Sequence, residues 1–173
     1  ECYSSYLFIN EQRRVFMELL FNTLDTIIAC SSGNNSNSAI SIIRFSGLNF
    51  CPELNTFFSI DTTTLKSRYA YYCNLSFNNK IYDDVIMTFF PGPNSYNGQD
   101  ILEVSVHGNR LSVDRIIRLF VDNSSIRLAE PGEFSFRALK NKKLTLNQLE
   151  GLDLLLNASS CLLYTSDAAD EED

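Results

Sequence analysis

The chain has 173 residues and one histidine, His107. That scarcity limits the chemistry on offer. A zinc centre needs several clustered His or Cys ligands. The five cysteines, Cys2, Cys30, Cys51, Cys73 and Cys161, are irregularly spaced and form no C-x-x-C pair. A Ser-His-Asp triad would have to use His107, and no G-x-S-x-G elbow accompanies it. Neither a G-x-x-x-x-G-K-S/T phosphate loop nor a G-x-G-x-x-G fingerprint occurs. We therefore expect no nucleotide triphosphate to bind by those routes. What remains is three charged residues beside loops shaped by Gly and Pro. Arg44 ends the apolar run ISIIRF, Glu103 lies inside ILEVSV, and Lys143 follows a helix end. A carboxylate within a strand is costly if buried alone, so Glu103 must pair, bind something or face water. Arg44 reads equally as a snorkelling strand end, and Lys143 as a solvated helix C-terminus.

These residues need elements to hold them. TIIAC (26–30) reads as a short buried strand and ISIIRF (40–45) as a second, separated by the polar loop SSGNNSNS (31–38). SGLNFCPELNTFF reads as a helix with Ser46 as its N-cap. RYAYYCNLSF (68–77) and KIYDDVIMTFF (80–90) form a hairpin about Asn78-Asn79. ILEVSVH (101–107) is a further strand. Its period of two puts Leu102, Val104 and Val106 on one face and Ile101, Glu103, Ser105 and His107 on the other. Apolar residues at 113, 116, 117, 120 and 121 mark an amphipathic helix over 109–122, with its arginines toward solvent. SIRLA (125–129) is a short strand. PGEFSFRALKN (131–141) is a helix opened by proline, and LTLNQLEGLDLLLNASS (144–160) starts another. The order β-β-α-β-β-β-α-β-α-α predicts an α+β domain, a mixed sheet with helices packed on it. One segment exceeds the needs of a hairpin. FFPGPNSYNGQD (89–100) places two prolines and two glycines between apolar strands, and a loop so stiffened usually positions something.

The apolar share of 45% and charged share of 20% are those of a globular chain, and no apolar run reaches the length of a membrane span. No secretory signal opens the sequence. The cysteine pattern fits a reduced compartment, so we expect a cytoplasmic protein without a membrane partner. Of the formal charge of −7, five negative charges lie in residues 161–173, while residues 1–16 balance two acidic against two basic residues. CLLYTSDAADE (161–171) is what a sequencing-library adapter encodes when translated, so residues 161–173 are expected to be adapter sequence. Residues 1–16 are expected to be upstream DNA read in frame. Without those two segments, 12 basic residues face 14 acidic ones, a net charge of −2. Such a balance makes no broad electrostatic case for nucleic-acid binding.

Four stretches together resemble the N-terminal domain of the MnmE (TrmE) family, the tRNA uridine-modification GTPases. LDTIIA resembles the family's opening strand, and ISIIRFSG its strand closing in Arg-x-Ser-Gly. FFPGPNSYNGQDILEVSVHGN is similar to FPGPNS(F/Y)TGEDVxExxxHGG. LAEPGEFSFRALKNKKLTLNQLEGLDLLLNASS is similar to ARPGEF(S/T)xRAFLNGKLDLxQAEAxxDLIxA. The likeness covers residues 24–160. Where the family pattern has Gly-Glu-Asp, this chain has Gly98-Gln99-Asp100, and where it has His-Gly-Gly, this chain has His107-Gly108-Asn109.

The resemblance implies a fold like that of folate-dependent aminomethyltransferases. It also implies a dimer that binds a tetrahydrofolate derivative (5-formyl- or 5,10-methylene-tetrahydrofolate). The family's folate-binding residues fall on Arg44, Glu103 and Lys143. A strand-held carboxylate can accept two adjacent N–H groups from the pterin edge, and the two cations suit the ligand's carboxylates. The domain reading is then 17–143 for folate binding and dimerisation, and 144–160 for the start of a helical domain. GTP, Mg and K would belong to a G domain absent from this chain, and we expect no GTP hydrolysis here. The implied partners are a second copy, the FAD-containing MnmG (GidA) subunit, and tRNA modified at its wobble uridine. A mitochondrial home is the alternative to a bacterial cytoplasm. Two other readings remain: a stand-alone one-carbon transferase using Asp100 to activate an amine, and a purely structural dimerisation module.

Overall fold

The computed structural model describes residues 24–32, 38–48 and 50–157. The N-terminal 16 residues, the adapter-like tail, most of the 31–38 loop and residues 158–160 lie outside that set. The strands are β1 (Ile27–Cys30), β2 (Ile40–Gly47), β3 (Ala70–Phe77), β4 (Lys80–Phe90), β5 (Asp100–His107) and β6 (Arg127–Leu128). The helices are α1 (Cys51–Leu54), α2 (Arg110–Asn123), α3 (Glu133–Lys140) and α4 (Leu146–Asn157), with a 3-10 turn at Thr62–Thr64. The strands form one mixed sheet in the order β3-β4-β5-β2-β1-β6. Every pairing is antiparallel except β1 with β6. The α+β expectation holds.

The β3–β4 hairpin turns through Asn78 and Asn79, both at positive φ (50° and 60°). Two left-handed central residues give the turn whose twist matches its strands, and Asn adopts that region at lower cost than most residues. The helix expected from Ser46 onward is only one turn long. Phe50 stands at its N-cap without a side-chain bond, and Ser46 continues β2 instead. Strand propensity in ISIIRFSG and a buried role for the Ser46 hydroxyl outweigh its capping tendency. Farther along, Asn109 caps α2 by accepting the Leu111 amide. Thr145 and Gln148 cap α4 reciprocally.

One face of the sheet is dry. Leu102, Val104 and Val106 of β5, Ile43 and Phe45 of β2, and Val85 and Met87 of β4 are all buried on it. Val113, Ile116 and Phe120 of α2 pack there, joined by Phe57 and Phe58. Phe120 is the hub. Its ring lies 4.6 Å from Phe57, 4.9 Å from Phe45 in an edge-on contact, and 5.8 Å from Phe58. Such ring pairs add to area burial. The opposite face is covered at one end only. There α3 and the loop after β4 lie over it, so Ile101 is buried although it shares a face with Glu103. Toward the other end, Tyr72, Ile86 and Ile40 stay exposed.

Replacing Phe120 with alanine removes the hub ring. The expected loss is about 3–5 kcal/mol, read from the urea midpoint at unchanged m-value.

Candidate functional site

Antiparallel register sets Arg44 of β2 directly opposite Glu103 of β5. Their side chains stand on the half-covered face and meet there. Arg44 donates from Nε (3.0 Å) and Nη2 (2.6 Å), both to Oε1 of Glu103. The two side chains are 25% and 27% exposed, so the pair is neither dry nor freely solvated. Oε2 of Glu103 takes no hydrogen bond from the described residues. The Arg44 guanidinium lies 5.6 Å from the Tyr96 ring centroid and 5.8 Å from that of Phe134. Tyr96 belongs to the Pro/Gly loop and Phe134 to α3, and the Tyr96 hydroxyl is 3.0 Å from Ser135 Oγ.

Lys143 does not join that pair. It follows α3 through Lys142, which turns the chain at φ 57°. Its amide donates to Ala138 O, and its exposed ammonium makes no ion pair with any described residue. It still borders the same loop. Gly98 sits at φ 80°, and a Cβ there would meet Asn141 Cβ at 3.1 Å and Lys143 Cγ at 3.3 Å. A side chain at 98 would be strained in this conformation and would press on Asn141 and Lys143.

The next row of the sheet along the open face runs Tyr72, Ile86, Ser105, Ile42. An apolar strip thus adjoins the charged row Thr88, Glu103, Arg44. Farther along β5, His107 Nδ1 lies 2.5 Å from Asp83 Oδ1, and its amide donates to Asp83 Oδ2 at 2.8 Å. The Asp83 hydrogen bond and charge, helped by Asp84, raise the His107 pKa above its ordinary value. Asp100 closes the loop instead of facing the open strip: its Oδ1 accepts the Gly92 amide at 2.8 Å.

What the motif scan missed is the support beneath this site. Arg137 and Glu133 of α3 are both fully buried. Arg137 donates to Glu133 Oε1 from Nη2 (2.8 Å) and to Asp25 Oδ1 from the same nitrogen (2.8 Å). Its Nη1 reaches the Asp25 carbonyl (2.9 Å) and Gln99 Oε1 (3.0 Å). Arg127 bridges Asp25 (2.6 Å) and both oxygens of Glu133 (2.6 and 2.8 Å). The network continues into the loop. Ser46 donates to Gln99 Oε1, Asn97 donates to Ser46, and Asn141 donates to the Asn97 carbonyl. The signal was in PGEFSFRA: a Glu and an Arg four apart share a helix face, here the buried one. Burial pushes the Glu133 pKa up more than any other single influence. The hydrogen bonds from Arg127, the Glu130 amide and Arg137 together outweigh it, so the pKa lies below its ordinary value.

The fold and site define an α+β domain with a half-open sheet face. That face carries a cross-strand Arg–Glu pair beside an apolar strip, framed by a Pro/Gly loop and a helix. Residues 26–143 match the family described as GTP-binding protein TrmE N-terminus, and the chain belongs to that family. Similar curated proteins include the tRNA modification GTPase MnmE of Francisella tularensis subsp. novicida (strain U112), 40% identical over 138 residues. The MnmE of Francisella philomiragia subsp. philomiragia is 39% identical over 138 residues. Each match covers 80% of this chain and 30% of the relative, so the chain spans about a third of their length. No helix among the described residues is long and apolar enough to cross a membrane.

Two outcomes are expected. Glu133→Gln leaves buried guanidinium charge without its counter-charge and costs about 3–5 kcal/mol. Because the folded-state pKa of Glu133 is depressed, its contribution is present above the ordinary carboxylate range and is lost as pH falls through the lowered value. The acid limb of a stability profile measured from pH 2 to 7 is therefore shallower in Glu133→Gln. Second, Asp83→Asn lowers the His107 midpoint toward its ordinary value. With one histidine in the chain, a single pair of imidazole NMR signals reports it. An unmoved midpoint contradicts the assigned contact.

Proposed function

We propose that this chain is the tetrahydrofolate-binding and dimerisation module of a tRNA modification GTPase. The observation that carries the reading is Glu103. It is a carboxylate on a central strand, steadied through Oε1, with Oε2 taking no hydrogen bond from the described residues. A reduced pterin presents neighbouring N–H donors along one edge, which such a carboxylate accepts. The apolar row Tyr72, Ile86 and Ile42 offers surface to a flat ring. Lys143, with its ammonium unpaired at the rim, suits a carboxylate of the benzoyl-glutamate end, and Arg44 lends cationic character beside Glu103. These donor types fit a folate such as 5-formyl- or 5,10-methylene-tetrahydrofolate. When bound, the folate would supply a one-carbon unit.

In the whole protein the module would serve synthesis of a 5-carboxymethylaminomethyl-type group at the wobble uridine of tRNA. It would act with a second copy of itself and an FAD-containing MnmG (GidA) subunit, in the cytoplasm. GTP, Mg and K would act in a separate G domain. This proposal draws on family membership and on the MnmE relatives. Asp100, the residue a stand-alone aminomethyl transferase would need, is engaged with Gly92 at the loop base, which disfavours that alternative.

Calorimetric titration of 5-formyltetrahydrofolate into the 173-residue chain tests the reading. Saturable binding, weakened at least tenfold by Glu103→Ala, is expected. Binding indifferent to the substitution would remove the carboxylate anchor. No binding by the folded chain would favour the purely structural module.

A further inference from the structure

We infer that the outer face of α2, extended by Lys80 of β4, is a contact for the phosphate backbone of an RNA. The inference rests on the tRNA-modification reading above, not on its folate site, and names where the RNA touches this domain. Arg110, Arg115 and Arg118 of α2 and Lys80 are all exposed. None of the four makes an ion pair or a side-chain hydrogen bond with a described residue. The other described arginines are committed. Arg44, Arg127 and Arg137 pair with carboxylates, and Arg68 donates to the Asn94 carbonyl. The uncommitted arginines among the described residues thus all stand on one helix.

Helix stability does not account for that placement. The helix dipole favours acids in the first turn and bases in the last. α2 has no acid in its first turn and no base in its last. Arg110 opens it and Asp122 lies near its end, the reverse of the stabilising order. A local rule broken without a gain in folding marks a functional surface. Arg115 and Arg118 are one turn apart on the exposed side. The Arg115 guanidinium carbon lies 5.3 Å from the Tyr82 ring centroid, and the Lys80 ammonium lies 5.6 Å from the same centroid. One ring thus gathers a cation from a helix and a cation from a strand without neutralising either. The nearby carboxylates of β4 are engaged, Asp83 with His107 and Asp84 with Asn74. Three arginines and Lys80 stand against Asp114 and Asp122, which leaves the face positive. The net charge of −2 over residues 17–160 conceals that grouping. Guanidinium forks suit phosphate oxygens, and a row of cations binds a polyanion by releasing its counterions. An RNA backbone is the polyanion that the reading above already requires. Because α2 packs on the dry side of the sheet, this face and the Arg44–Glu103 face lie on opposite sides.

Fluorescence anisotropy of fluorescein-labelled bulk tRNA with the 173-residue chain, over a series of salt concentrations, tests the inference. Arg115→Gln/Arg118→Gln is compared with Lys66→Gln/Lys142→Gln, which removes the same charge from exposed positions elsewhere. The α2 double is expected to weaken tRNA binding about tenfold at low salt and to flatten the slope of log affinity against log salt by about 1.4–1.8. The control double is expected to change both far less. Equal losses in the two doubles would show a response to net charge alone and overturn the inference. So would absence of tRNA binding by the unaltered chain. Polyglutamate bound as tightly as tRNA, with the same loss in the α2 double, would overturn the RNA assignment in favour of an acidic protein partner. Titration of 5-formyltetrahydrofolate into the same samples separates the two readings. tRNA binding through α2 without folate binding leaves this inference standing and removes the folate site, and folate binding without tRNA binding does the reverse. Thermal midpoints matching that of the unaltered chain show that a lost contact is not lost folding.

Discussion

A guanidinium with no access to water holds this domain together. Arg137 is among the largest wholly buried side chains, and its donors reach Glu133, Asp25 and Gln99. Burying such a charge alone costs many kcal/mol, so its position is tolerable only where each donor finds an acceptor. Those acceptors come from α3 itself, the segment before β1, and the loop before β5. Three stretches of chain far apart in sequence must therefore converge before the arginine can be buried at all. Two guanidiniums, Arg127 and Arg137, stand against two carboxylates, Asp25 and Glu133. No buried side-chain polar atom among the described residues lacks a hydrogen-bond partner. Such a network is poor at adding stability over apolar packing but strict about geometry. It admits one placement of α3 and the loop.

That strictness is what the half-open face requires. The main hydrophobic cluster lies on the other side of the sheet, where α2 packs, and exerts little control over side chains on the open side. Arg44 and Glu103 get their places from strand register. Register alone leaves two long side chains free to change rotamer in water, and exposed pairs of that kind are usually weak. Here the loop brings Tyr96 and the helix brings Phe134 against the guanidinium, while the network beneath them holds both elements. The Pro/Gly composition of the loop belongs to the same arrangement. It is closed at its base by Asp100, crossed by Arg68 at the Asn94 carbonyl, and pressed at Gly98 against Asn141 and Lys143.

Much of the scaffold was readable from local rules, because periodicity and turn chemistry act within a few residues. The β5 alternation, the Asn78-Asn79 turn, the α2 stripe and the helix after Pro131 all appear as expected, to within a residue or two. One reading failed for a non-local reason, and one burial was not legible. Ser46 has the chemistry of an N-cap, but its hydroxyl is committed to Gln99 and Asn97, about fifty residues away in sequence. Ile101 shares a face with Glu103, yet it is buried by elements that local patterning cannot place. At the site, Arg44 and Glu103 were visible singly, as a charge at a strand end and a charge within a strand. Their pairing depends on the β2–β5 register, which one-dimensional spacing does not fix. Glu133 and Arg137 are the reverse case. Their i,i+4 spacing was legible, but which side of α3 turns inward was not.

Gln99 follows from the same balance of charge. The family pattern carries glutamate at this position, and this chain carries an amide whose Oε1 accepts from Arg137 and Ser46. With Asp25 and Glu133 already matching the two guanidiniums, a third carboxylate would leave the buried cluster one negative charge in excess. The amide keeps the acceptor and drops the charge, so the loop is still drawn down onto Arg137 without that excess. Asn97 works alongside it, giving one hydrogen bond to Ser46 and accepting one from the Gln99 amide. This departure from the pattern lies in the support layer. Arg44, Glu103, Tyr96 and Phe134, which form the surface above it, sit on the positions that the support fixes.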